Sequence, residues 1–104
     1  MAVDCHIHMA LDGGYWKDAL ARHKEAPDEQ FIRKTLETYK SLGFTYLRDG
    51  GDRWNAGKRA SELAPEYGIR YRTPVFPIYR KGHYGSFIGR GFETLDDFRA
   101  LVSE

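Results

Sequence analysis

The sequence predicts an α/β protein with parallel strands, and three observations carry that prediction. Residues 2–9 alternate apolar and polar side chains with a period of two, as a strand does. Later stretches place apolar residues three and four apart, as amphipathic helices do. Strand and helix patterns take turns in units of about 30 residues, the length of a strand, a crossover helix and the return to a parallel neighbour.

Each element follows from local chemistry. In residues 2–9, Val3, Cys5, Ile7 and Met9 alternate with Asp4, His6 and His8. The pattern breaks at Asp12-Gly13-Gly14, and residues 10–27 are expected to form a loop with a short helix inserted after the first strand. Within it, Trp16, Ala19, Leu20 and His23 fall at helical spacing in residues 15–25, before Ala26-Pro27 ends the run. Asp28 is a good N-cap, Glu29 suits the positive end of a helix dipole, and Phe31, Ile32, Leu36, Tyr39 and Leu42 trace one apolar face. Gly43 is the expected helix stop.

Residues 44–48 are short, aromatic and β-branched, so they predict a second strand, stopped by Asp49-Gly50-Gly51-Asp52. Asp52 is expected to cap a helix carrying Trp54, Gly57, Ala60, Leu63 and Ala64, which Pro65 and Gly68 end. A third strand is expected within residues 69–76, with Pro74 near its end. Residues 78–91 read as a glycine-studded loop. Thr94-x-x-Asp97 forms a capping box before a last helix with Leu95, Phe98, Leu101 and Val102.

The resulting order is β-α-β-α-β-α. Three parallel strands leave two open edges and one face without a covering layer. The expectation is therefore a partial (β/α)8 barrel, with residues 1–104 as the N-terminal part of one barrel domain that takes about 250 residues when complete.

Composition narrows the function. The 104 residues hold 16 Lys and Arg against 15 Asp and Glu, a formal net charge of +1, which excludes a nucleic-acid partner held by bulk charge. Hydrophobic residues at 41% and charged residues at 30% exclude a disordered chain. No apolar run approaches the roughly 18 residues of a membrane span, and the first residues lack a signal peptide's basic start and apolar core. The single cysteine, Cys5, forms no internal disulfide. These features predict a cytoplasmic protein with no membrane partner.

His6 and His8 are the sharpest chemical signal. Residues two apart on a strand project to one face, where two imidazoles can hold one metal ion. Asp4 is expected on that face too, with Val3, Cys5 and Ile7 packing outward against helices. Two polar residues ending a strand is the ordinary alternative. The neighbouring letters test other His-x-His chemistries: Ala10 stands where a histidine-triad hydrolase needs its third histidine, and the helical patterns disfavour a cupin. A metal-dependent phosphoesterase of the polymerase-and-histidinol-phosphatase type remains the nearest rival.

Asp4-Cys5-His6-Ile7-His8, followed by Leu42-Gly43-Phe44-Thr45-Tyr46-Leu47-Arg48-Asp49-Gly50-Gly51-Asp52, resembles the opening of a metal-dependent hydrolase of the amidohydrolase superfamily. The first motif is similar to that family's strand-one metal motif and the second to its strand-two ending. Gly82-His83-Tyr84-Gly85 resembles the glycine-histidine loop that several members turn toward substrate. The resemblance implies that His6 and His8 are two ligands of a divalent metal, zinc above all, with one or two ions in the complete enzyme. It also implies that the remaining ligands and the proton-accepting aspartate come from later strands.

Arg48, Asp49, His83 and Tyr84 are the expected substrate contacts, with a salt-bridged strand end as the plain reading of the first two and a surface loop as that of the others. The expected function is hydrolysis of an amide, ester or ring C–N bond in a small molecule by metal-activated water. These 104 residues alone are expected to be inactive, with no catalytic residue among them, and to pair with the rest of the barrel or another subunit. The rival from a different class is a non-catalytic α/β module that persists by oligomerising. Cys5 is expected in the core, Trp16 in a packed or lid position, and His23 in solvent.

Overall fold

A computed structural model describes residues 1–104. Three parallel strands, β1 (Ala2–Ile7), β2 (Phe44–Asp49) and β3 (Arg70–Arg72), form a sheet in the order β1-β2-β3. Helices α1 (Trp16–Ala21) and α2 (Glu29–Ser41) lie between β1 and β2. Helix α3 (Ala56–Leu63) and a 3-10 turn over Ala64–Tyr67 lie between β2 and β3, and α4 (Leu95–Ser103) comes last. The mixed α/β architecture with parallel strands is as the periodicities predict. No helix is long and apolar enough to cross a membrane.

The helix boundaries sit where the capping residues put them. Asp28 accepts a hydrogen bond from the Phe31 N–H at 3.1 Å, which satisfies one of α2's free first-turn donors. Gly43, with φ +87°, turns the chain out of α2 directly into β2. Asp52 accepts from the N–H groups of Trp54, Ala56 and Gly57 at 2.8, 3.0 and 2.8 Å, so it does serve the start of α3, reaching forward from outside the helix. The capping box of Thr94 and Asp97 is present in both directions.

One face of the sheet is covered and the other is open. Leu47 on β2 packs beneath Ile32 and Leu36 of α2 and Ala60 and Leu63 of α3, all within one core cluster. The expectation that Val3, Cys5 and Ile7 share this covered face is corrected: Val3 is 52% exposed and Cys5 is exposed, whereas Ile7 is buried. The cause is the register. Asp4 pairs with Leu47 and Ile7 with Asp49, so three steps along β1 match two along β2. That surplus residue is a β-bulge, which inverts the facing of everything after it. Asp4 accepts from the His6 N–H at 3.1 Å and so closes the bulge.

Two further corrections concern residues 78–91 and His23. Residues 78–91 are not wholly loop, because β4 (Ile78–Arg80) and β5 (Arg90–Phe92) pair in parallel as a second, two-stranded sheet. Short strands spaced by glycines hide from a periodicity argument, since three residues carry too little alternation to register. The Pro77 carbonyl accepts from the Arg90 N–H at 2.9 Å, and Gly89 lets the backbones approach, since a Cβ there would lie 2.8 Å from that same carbonyl oxygen.

His23 is not solvated but 1% exposed, its ring edge-on to Phe31 at 5.8 Å between centroids. Its Nδ1 accepts from the Asp28 N–H at 3.0 Å, so in the neutral ring the proton sits on Nε2, which is buried without a partner. Burial pushes the imidazole below its ordinary value, opposed by the charges of Asp52 and Asp28. The unfolded chain therefore binds more protons than the folded one below about pH 6.5, and stability is lost as pH falls from there. Between pH 7.5 and 5.5, urea denaturation is expected to show a steeper loss for the wild type than for His23→Gln, with a difference of at most about 1.4 kcal/mol per pH unit. Equal slopes would refute the assignment.

Candidate metal-binding site

At the C-terminal end of β1 the Nε2 atoms of His6 and His8 lie 3.3 Å apart, with the rings edge to face at 61°. In a tetrahedral zinc site, nitrogens held at about 2.0–2.1 Å from the ion stand roughly 3.3–3.4 Å from each other. The spacing fits two ligands of one ion. The tautomer fits as well: His8 Nδ1 is 3.1 Å from the Gly51 carbonyl oxygen, which only accepts, so Nδ1 carries the proton and Nε2 presents its lone pair. In the metal-free protein His6 Nε2–H can donate to that lone pair.

The Asp-Gly-Gly-Asp segment builds the seat for His8. A Cβ on Gly50 would stand 2.5 Å from His8 Cε1 and 2.9 Å from Nε2, so only glycine lets the ring lie against the turn. The Gly50 N–H donates to the Ile7 carbonyl at 2.8 Å, which continues the parallel ladder to the histidines. Gly51 takes φ +88° and aims its carbonyl at His8. Its N–H donates to Asp49 Oδ1 at 2.8 Å, while Asp49 Oδ2 accepts from the Tyr71 hydroxyl at 2.7 Å. Burial raises the Asp49 carboxyl above its ordinary value, and the bonds from Tyr71 and Gly51 oppose that shift.

The residues singled out from sequence are therefore divided in space. Asp49, 3% exposed with both oxygens engaged, supports the turn under His8. Arg48 is exposed and, with Cys5, His6, Asp49, Gly50, Arg72 and Thr73, lines a hollow of about 630 Å³ on the open side of the sheet. Asp4 lies toward α2, in a cleft that also holds Thr38 and Tyr39, and His6 and His8 border that cleft too. His83 and Tyr84 are exposed in the connection between β4 and β5. Tyr84 meets Phe87 at a tilt of 56°, and Phe87 meets Trp16 edge-on, both at 5.4 Å between centroids, which ties this connection to α1. Trp16, 41% exposed, is thus packed on one side.

Sequence reading missed Arg72 and the glycine seat. Arg72 was visible in the Arg70-Tyr71-Arg72 alternation, which puts both arginines opposite buried Tyr71. No three residues among His, Cys, Asp and Glu converge on one point, so the histidine pair stands without a third clustered ligand. No protein-family model matches the chain, and no curated protein or solved structure matches it.

Gly50→Ala is expected to push the His8 ring off the turn and weaken zinc binding on the order of ten-fold, the usual cost of losing a ligand's support. Isothermal calorimetry of the variant checks this. Unchanged affinity would show that the ring does not depend on that seat.

Proposed function

We propose that the chain is the N-terminal part of a (β/α)8 metal-dependent hydrolase of the amidohydrolase type, in which His6 and His8 are two ligands of a divalent cation, zinc foremost. The single observation that carries this reading is the 3.3 Å separation of the two Nε2 atoms, with the His8 tautomer set by Gly51. A cation held there supplies a Lewis acid that activates water and polarises the scissile carbonyl of an amide, ester or cyclic substrate. Within this reading His6 and His8 bind the cation, and Asp49 holds the turn that orients His8. Arg48, His83 and Tyr84 face the small-molecule substrate. The chain works in the reducing cytoplasm, where the exposed thiol of Cys5 stays reduced.

Two imidazoles make half of a tetrahedral shell, and no third ligand is clustered with them. The remaining ligands and the general base would come from protein outside these residues, so the chain by itself turns over no substrate. Zinc is expected to bind weakly and more weakly still on acidification, because protons compete for the imidazole lone pairs. Calorimetric titration with zinc, run beside the His6→Ala, His8→Ala double variant, tests the reading. Equal binding by both proteins would place the metal elsewhere and remove the main support for hydrolase chemistry.

The same reading entails self-association. Strands β1 and β3 are sheet edges, and α4 leaves Leu95 and Val102 more than half exposed, at 61% and 62%. Light scattering on a size-exclusion column is expected to give a mass above the 12.0 kDa of one chain. A stable monomer would refute the partial-barrel reading.

A further inference from the structure

Arg48 and Arg72 are direct partners across the parallel pair β2–β3, so two guanidinium groups leave the open face of the sheet side by side. Both are exposed, and neither has a carboxylate within ion-pair distance among the seven ion pairs of the molecule. The nearest acid in sequence, Asp49, also borders the hollow that Arg48 and Arg72 line, but it is 3% exposed and both its oxygens are taken by Tyr71 and Gly51. Two like charges side by side repel, and no ion pair within the chain offsets the cost. They border the same hollow as His6, and only one of its eight lining residues is apolar. On the other side of the histidine pair, the cleft toward α2 is lined by Ile7, Met9, Leu11 and Phe31 among others.

We infer that Arg48 and Arg72 form a binding site for an oxyanion, a carboxylate or a phosphoryl group, next to the histidine pair. Paired guanidiniums offer parallel N–H donors that match the oxygens of such a group, and an arriving anion removes the repulsion between them. Calling that anion part of a substrate rests on the hydrolase reading. On that reading the substrate is anionic, with its charged group on the arginine side and its scissile bond at His6 and His8. Arg70, which pairs with Tyr46 at the far end of the same face, lies outside the site and serves as the control.

The test uses the metal-stripped 104-residue chain, labelled with 15N, titrated with inorganic phosphate and separately with acetate at constant ionic strength. Saturable shifts are expected at the Arg48 and Arg72 Nε–Hε resonances. Arg48→Gln combined with Arg72→Gln is expected to weaken binding by about ten-fold or more, and Arg70→Gln by less than about two-fold, as charge-assisted pairs and distant charges differ. Saturation by phosphate alone assigns the site to a phosphoryl group, and saturation by both anions assigns it to oxyanions generally, carboxylates included. Non-saturating shifts equal at all three arginines, or affinity retained by the double variant, would overturn the inference. A zinc titration of the arginine double variant keeps the two readings apart. Wild-type zinc affinity with phosphate binding lost supports both, and phosphate binding by a chain that takes no zinc sinks the hydrolase reading while leaving the anion site standing.

Discussion

One surplus residue in β1 governs what this protein can present to solvent. Asp4 lies opposite Leu47, on the side of the sheet that carries the helices. With strict alternation, His6 and His8 would follow Asp4 into that layer and Ile7 would point to water. The bulge between Asp4 and Ile7 reverses the order, so Ile7 and Met9 enter the core and the histidines remain accessible. The Asp4 carboxylate receives the His6 N–H and fixes the bulge.

From that point the support for the histidine pair runs inward through the protein. Tyr71 on β3 holds Asp49 at the end of β2, Asp49 holds the Gly51 N–H, and the Gly51 carbonyl holds His8. The first two links are buried hydrogen bonds that satisfy groups otherwise left without a partner, and the last, to His8, is part-buried. Helix α3 closes around this chain of bonds. Gly57, in its first turn, stands so near Asp49 that any side chain there would overlap the carboxylate. Asp52 sits beside it on the free N–H groups of the same turn, where the helix dipole favours a negative charge. A tight turn, a buried carboxylate and a glycine in a helix are thus parts of one seat for one imidazole.

Much of the fold is legible in the sequence. Caps and stops did the work: Asp28 at α2, Gly43 after it, and the Thr94–Asp97 box at α4 all act within four residues of chain, so local sequence determines them. Parallel order followed from helices interposed between strands. The candidate site was legible only as a list. His6, His8 and Arg48 carry recognisable chemistry, but Gly50 and Gly51 read as a plain turn, because a glycine's role in making room for a ring 42 residues away is a property of the partner.

The sequence by itself determined the helices, the first three strands and the presence of two imidazoles at the end of a strand, since these depend on periodicity and capping within a few residues. The tertiary structure alone decided which face each β1 side chain takes, because a register shift of one residue changes every contact after it and leaves no mark in the alternation of letters. It likewise decided that His23 is buried, that Cys5 is exposed, and that Arg48 and Arg72 stand together. Each of these is a relation between segments distant along the chain, fixed when the helices pack on one face of the sheet and leave the other open.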